Sequence, residues 1–255
     1  MASSSRLKER FSSRFAGKAE GRVLWSSKVA AGSAIPARGL REFFVCFAKG
    51  NLRVLPWRAS GISPFHLLLA EVLLVQTKAE DVAIVWPKLM RKYPTPAALS
   101  GARTRSLTTL LRPLGLQNQR AKSLVTIART LSLKFAGRVP RSFDELLSIP
   151  HIGLYTAAAV GCFGYGKRLP IVDANVLRVL GRIHGVKMRA DLRRAPEAWS
   201  LAWSILPRKD PKLHNYGLLD FAARICTIRR PLCGTCPLHH TCCFGQDYVA
   251  SRQLS

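Results

Sequence analysis

Acidic residues are scarce in this 255-residue chain: 14 Asp and Glu stand against 40 Lys and Arg, a formal net charge of +26 at pH 7. That imbalance points to a polyanionic partner. Long apolar runs are missing as well. No stretch approaches the roughly 18 consecutive apolar residues that a membrane helix needs, which argues against an integral membrane protein. There is no secretory apolar region near the N-terminus. Nor does any stretch alternate apolar and polar residues for long enough to argue a sheet. What remains is a chain with 48% hydrophobic and 21% charged residues, enough to bury the core of one or two domains, so a disordered basic tail of the histone or protamine kind is excluded. Acidic lipid would suit the charge, but nucleic acid is the favoured polyanion.

The charge is not confined to a tail, since residues 1–40 carry +6, residues 41–173 +12 and residues 174–255 +8. The first forty residues are rich in Ser, Ala, Gly and Arg, lack an apolar period, and read as a disordered basic extension. Their Arg and Ser content also fits an organellar transit peptide, against which Glu9 and Glu20 count. The protein is expected inside the cell, in the cytoplasm or nucleoid.

From Phe65 onward the pattern is helical. Pro64 to Val85 carries long Leu, Val and Ala runs, Thr104 to Leu111 forms a second segment, and Leu124, Ile127, Ala128 and Leu131 recur at helical spacing within Ala121 to Phe135. Further helices begin after Pro140, near Tyr155, at Asp173 and near Ala195. The Gly-rich stretch Gly161 to Lys167 reads as a connection between helices. The fold is all-α.

Four of the seven cysteines follow the spacing Cys226-x6-Cys233-x2-Cys236-x5-Cys242, with Cys243 adjacent. Four thiolates so close in sequence converge readily on one metal centre. Disulfides suit an oxidising compartment, which the missing signal peptide argues against. Zinc is the stronger rival, although zinc sites usually pair two C-x2–4-C knuckles and only one occurs here. His239 and His240 lie beside the group and read as loop residues. Cys46 and Cys162 read as small buried hydrophobes.

The cysteine spacing resembles the [4Fe-4S] loop of the endonuclease III superfamily of DNA glycosylases. Other segments carry the same resemblance, in one order from Leu55 to Cys242: Leu-Pro-Trp-Arg, Ala-Glu-Val-Leu-Leu-Val-Gln-Thr, Leu-Gly-Leu-Gln-Asn-Gln-Arg-Ala, Ile-Pro-His-Ile-Gly-Leu-Tyr-Thr-Ala, Val-Asp-Ala-Asn and Asn-Tyr-Gly-Leu-Leu-Asp-Phe. The resemblance implies a two-domain helix-hairpin-helix fold. Residues 62–169 would form a six-helix barrel domain, residues 41–61 with 170–255 a helical iron-sulfur domain, and the DNA cleft would lie between them. It also implies a [4Fe-4S] cluster held by Cys226, Cys233, Cys236 and Cys242, and a monomer acting on double-stranded DNA.

Within the family pattern, Asp173 stands where the catalytic aspartate does. It precedes an apolar-periodic run, so it is also placed to cap a helix, and a carboxylate there can stabilise an oxocarbenium-like transition state. Glu71 lies among large apolar residues; such a carboxyl is exposed, paired with a cation, or kept for function in a desolvated pocket. The resemblance makes it the base-pocket acid. His151 and Gly153 belong to the hairpin that meets a phosphate, and the family usually has glycine where His151 stands.

Tyr155 bears on the reaction type. Bifunctional relatives carry a lysine there, whose amine forms a Schiff base with the deoxyribose, and a phenol cannot do so. The resemblance therefore implies a monofunctional enzyme that stops at an abasic site. Two branches fit. Adenine glycosylases usually carry a further C-terminal domain, for which the thirteen residues after Cys242 leave no room. The G·T/G·U mismatch thymine and uracil glycosylases are the closer pattern. Leu116 and Gln117, with Asn118, then stand where the vacated space in the duplex is filled, Gln76 where the orphan guanine is met, and Arg229 and Arg230 beside phosphates. An endonuclease III-like lyase and a silent DNA-binding module are the remaining alternatives.

Overall fold

The computed structural model describes residues 35–186, 193 and 195–253, so the expected disorder of residues 1–34 lies outside the described residues. Helices are the only regular elements among them: α1 (Ala37–Asn51), α2 (Pro64–Leu73), α3 (Ala79–Lys92), α4 (Pro96–Ser100), α5 (Thr104–Leu111), α6 (Gln117–Lys134), α7 (Phe143–Ser148), α8 (Leu154–Ala159), α9 (Ala174–His184), α10 (Pro196–Ser204), α11 (Pro211–Arg224) and α12 (Cys243–Gln253). No helix among the described residues is long and apolar enough to cross a membrane. Helix α1 begins within the stretch expected as an extension, because Leu40, Phe44 and Ala48 give it a buried stripe.

The described chain divides into two compact units, residues 54–167 and residues 35–53 with 168–253. In the first, α2 opens on a local signal: Ser63 caps it by accepting from the His66 backbone N–H at 3.2 Å, with Pro64 in the first turn. The helix is buried nearly all round. Helix α6 buries Ala121, Leu124, Ile127, Ala128 and Leu131, the predicted stripe, and α4 and α5 pack on it. Seven α-helices, of which α4 is little more than one turn, make up what the resemblance describes as a six-helix domain. Trp57 is drawn into this core, edge-on to Trp86 with ring centroids 6.2 Å apart. Residues 54–61 therefore belong to this unit, not to the discontinuous one.

Two details depart from the sequence pattern. The helical run expected over Pro64 to Val85 is interrupted between α2 and α3, where Gln76 adopts a left-handed φ of 57°. The connection expected at Gly161 to Lys167 is helical in its first half: α8 continues as a π-helical turn, Val160–Gly164, packed so closely on α2 that a Cβ on Gly164 would lie 3.2 Å from Leu67 Cδ2.

The second unit is built around α1 and α11. Phe43, Phe44 and Phe47 of α1 surround Phe221 with centroids 5.4 to 5.6 Å away, all near edge-on. The helices meet at Gly217, where a Cβ would lie 2.2 Å from the Phe44 carbonyl oxygen. At the C-terminal end of α1, the fully buried Asp220 accepts from Arg53 Nε and from the Arg53 backbone N–H, each at 2.8 Å. Cys162 is buried as expected, but Cys46 is exposed, because it stands two positions from Phe44 and so faces away from the stripe that packs on α11.

Candidate active-site residues and cysteine loop

Asp173 sits at the N-cap of α9 in extended backbone geometry. One carboxylate oxygen accepts the Val176 backbone N–H at 2.7 Å and the other accepts Asn175 Nδ2 at 2.8 Å. Asn175 is itself held by Arg178, whose guanidinium donates to Asn175 Oδ1 and to the carbonyls of Ala222 and Cys226, each at 2.9 Å. Burial lowers the Arg178 pKa. The Asp173 carboxylate is thus oriented by a chain of side chains that reaches the cysteine loop. Sequence reasoning missed Asn175 and Arg178 as supports. Their spacing from Asp173 along the start of a helix is the signal that was available.

In the first unit, Glu71 is buried in the last turn of α2, 2% exposed. Tyr155 is half-buried in the first turn of α8. The hairpin before α8 closes through Ile152 N–H to the Ile149 carbonyl at 3.2 Å. His151 is exposed and left-handed at φ 66°, the conformation that explains why the family usually has glycine there. Gly153, the α8 N-cap, has an ordinary φ of −99°, and a Cβ on it would meet nothing within 4 Å. Nothing in the protein itself requires glycine at 153.

Gln76 and Leu116 lie in two loops of the same unit, both exposed and both left-handed, at φ 57° and 50°. Gln117 opens α6 and Asn118 is exposed one residue later. Between the two loops lies Arg120, 7% exposed, a residue not singled out by sequence. Its guanidinium donates to the carbonyls of Leu73 and Val75 at 3.1 Å, to Gly115 at 2.9 Å and to Thr77 Oγ1 at 2.6 Å.

In the second unit, Cys226, Cys233, Cys236 and Cys242 line one cavity of about 20 Å³. Tight turns arrange it, with Cys236 N–H bonded to the Cys233 carbonyl at 3.2 Å and Cys242 N–H to the Leu238 carbonyl at 2.8 Å. All four are free thiols. Burial raises the pKa of Cys233 and Cys236 and takes Cys242 to about 11. Arg182 borders the cavity: it donates to Cys226 Sγ at 3.4 Å and lies 4.3 Å over the Phe244 ring. Cys243 opens α12 beside Gly185. His239 lines the cavity wall with its Nδ1 2.8 Å from the Cys236 carbonyl oxygen. Among the described residues no three His, Cys, Asp or Glu side chains converge closely enough to hold a single metal ion. Arg229 and Arg230 stand exposed in the same loop.

Residues 69–202 match the family model described as HhH-GPD superfamily base excision DNA repair protein. The thymine-DNA glycosylase of Aeropyrum pernix is 41% identical over 194 residues, 74% of this chain and 86% of that protein. An adenine DNA glycosylase of Mycobacterium tuberculosis is 38% identical over 189 residues, 73% of this chain but 61% of that longer protein. The solved structure of a thermostable thymine-DNA glycosylase superposes with a TM-score of 0.77 and 31% identity, covering 83% of this chain and 97% of that one.

Proposed function

The chain belongs to the HhH-GPD superfamily of base excision DNA repair proteins, and on that premise we propose that it is a monofunctional DNA glycosylase releasing thymine or uracil mispaired with guanine. The observation that carries the reaction type is Tyr155 in the first turn of α8. A lysine amine at that position would attack the sugar and form an imine, whereas a phenol leaves water as the nucleophile. The C1′–N bond then breaks, water adds to C1′, and an abasic site remains.

Each residue has a task suited to its setting. The Asp173 carboxylate, fixed by Val176 and Asn175, stabilises positive charge developing on the sugar and orients the water. Glu71, buried in α2, is the proton donor to the departing base. Gln76, Leu116, Gln117 and Asn118 occupy the space the extruded base leaves and meet the orphan guanine; a mispaired base costs least to extrude. His151 and Gly153 receive a phosphate, and Arg229 and Arg230 add charge to the same task. The pyrimidine choice is supported by the likeness to the Aeropyrum pernix thymine-DNA glycosylase and to the solved thermostable one.

The donor set around the cavity, four thiols beside a guanidinium, fits a [4Fe-4S] cluster, in which each iron takes one protein sulfur. Cys226, Cys233, Cys236 and Cys242 would hold it, and bound there it supplies a rigid anchor for the loop that carries Arg229 and Arg230. We take the enzyme to act as an intracellular monomer on duplex DNA.

The experiment is a panel of duplexes containing G·T, G·U, A·G and A·8-oxoguanine pairs, incubated with protein and then cleaved with alkali. Strand scission at G·T and G·U only after alkali is the expected result. Scission confined to the adenine pairs sinks the pyrimidine assignment in favour of adenine release, the second reading, which the 38% identity to the Mycobacterium tuberculosis protein favours. Scission without alkali would make it a lyase of the endonuclease III kind. Iron, sulfide and zinc analysis of anaerobically purified protein decides the cluster.

A further inference from the structure

Buried charge is costly unless something compensates for it, and the buried Arg120 guanidinium donates to four neutral oxygens. Burial lowers its pKa, and no acidic neighbour contributes to the shift. The four acceptors explain its place. Val75 precedes Gln76 and Gly115 precedes Leu116, so the guanidinium grips the carbonyl immediately before each of the two left-handed residues. It also takes the Leu73 carbonyl, the orphan acceptor at the end of α2, and Thr77 Oγ1 on the far side of Gln76. Left-handed backbone at a glutamine and a leucine is strained and persists only when its surroundings hold it. The fork supplies that hold for both loops at once, while leaving Gln76 and Leu116 exposed, with Leu116 at 56%.

We infer that Arg120 is a positioning residue that couples the Gln76 loop to the Leu116 loop, so that the two side chains enter the duplex as one preset unit. The inference rests on the proposed insertion roles of Gln76 and Leu116. Its consequence is specific to base extrusion, because the four oxygens that Arg120 holds flank Gln76 and Leu116 and none belongs to a carboxylate. Lysine does not substitute: one ammonium with three donors on a flexible stem cannot span four acceptors that a planar guanidinium reaches together.

The test uses the full chain as purified, with G·T, G·U, A·G and fully paired duplexes carrying 2-aminopurine beside the target base. Fluorescence reports extrusion, titration gives the affinity ratio of mismatched to paired DNA, and single-turnover release gives the chemical step. Arg120→Lys is expected to lose the mismatch preference and the fluorescence rise by about tenfold, with the pH dependence of release unchanged. Thr77→Val, which removes one acceptor and keeps the arginine, is expected to lose about threefold in the same two readouts; it carries the test if Arg120→Lys does not fold. Wild-type extrusion and discrimination in a folded Arg120→Lys, or in Thr77→Val when the first does not fold, overturn the inference, as does a loss of release with extrusion intact. Failure of the pyrimidine assignment is a separate result: wild-type protein then acts on A·G and not on G·T or G·U, and the variants are compared on A·G. Wild-type protein that extrudes no base from any duplex overturns both.

Discussion

The Asp173 carboxylate accepts the Val176 backbone N–H at 2.7 Å, so one side chain both caps α9 and presents the charge on which the proposed chemistry depends. The two roles separate by substitution. Asn keeps an acceptor for the cap and loses the charge. Asp173→Asn is expected to slow single-turnover base release by roughly 100-fold or more while leaving the melting temperature nearly unchanged. Asp173→Ala should lose the same activity and about 1 kcal/mol of stability besides. Rate and thermal melting on the two variants check this; equal stability in both would disprove the capping role.

Gly217 is required by packing. A methyl group there would need the space of the Phe44 carbonyl oxygen, 2.2 Å away. Gly217→Ala is expected to destabilise the second unit by about 3 kcal/mol, the upper end for overpacking, because backbone must move. Urea unfolding with an unchanged slope and a lower midpoint is the expected record.

His214 makes stability depend on pH. It is 1% exposed and edge-on to Phe44 with centroids 5.5 Å apart. Burial, opposed by Asn215 and reinforced by Arg41, takes its pKa from 6.5 down to about 4. The folded state therefore prefers the neutral ring, and the unfolded chain binds the proton first. The contribution is fully present above pH 6.5 and is lost as pH falls from 6.5 toward 4, in total about 3 kcal/mol. Melting temperature between pH 7.5 and 4.5 should fall less steeply in His214→Met than in the native protein.

Tyr155→Lys introduces the amine that the native residue lacks. Borohydride should trap a covalent adduct of the variant with mismatched DNA and none with the native protein. A trapped native adduct would show that another lysine serves as nucleophile and would end the monofunctional assignment.

Cys233→Ser removes one of the four sulfurs around the cavity. Iron and sulfide content and visible absorbance should all drop relative to the native protein, together with melting temperature. Native iron loading in the variant would exclude the proposed ligand set.

Much of the fold was legible because its signals are local. The α6 stripe, the Asp173 cap and the cysteine spacing each lie within one helix or loop. The break after α2 was not legible. Leu74, Val75, Gln76 and Thr77 contain no helix breaker, and the Leu73 and Val75 carbonyls and the Thr77 hydroxyl are held by an arginine 43 to 47 residues later. Cys46 was misplaced for a related reason: free cysteine is usually buried, but the stripe of α1 is set by Leu40, Phe44 and Ala48. The proposed site residues stand in motifs, and Asn175 and Arg178 follow Asp173 at helical spacing, whereas Arg120 becomes visible as a support only through its contacts with residues 43 to 47 positions earlier.

The pairing of Arg53 with Asp220 spans 167 positions, and with the Phe44–Phe221 contact it ties the beginning of the described chain to a helix near its end. During synthesis α1 is therefore made before residues 54–167, and its aromatic residues lack Phe221 until that whole stretch has followed. Only when α11 leaves the ribosome does the second unit close. The order of assembly is set by topology, and a chain truncated before α11 would present Phe43, Phe44 and Phe47 to solvent as an adhesive surface.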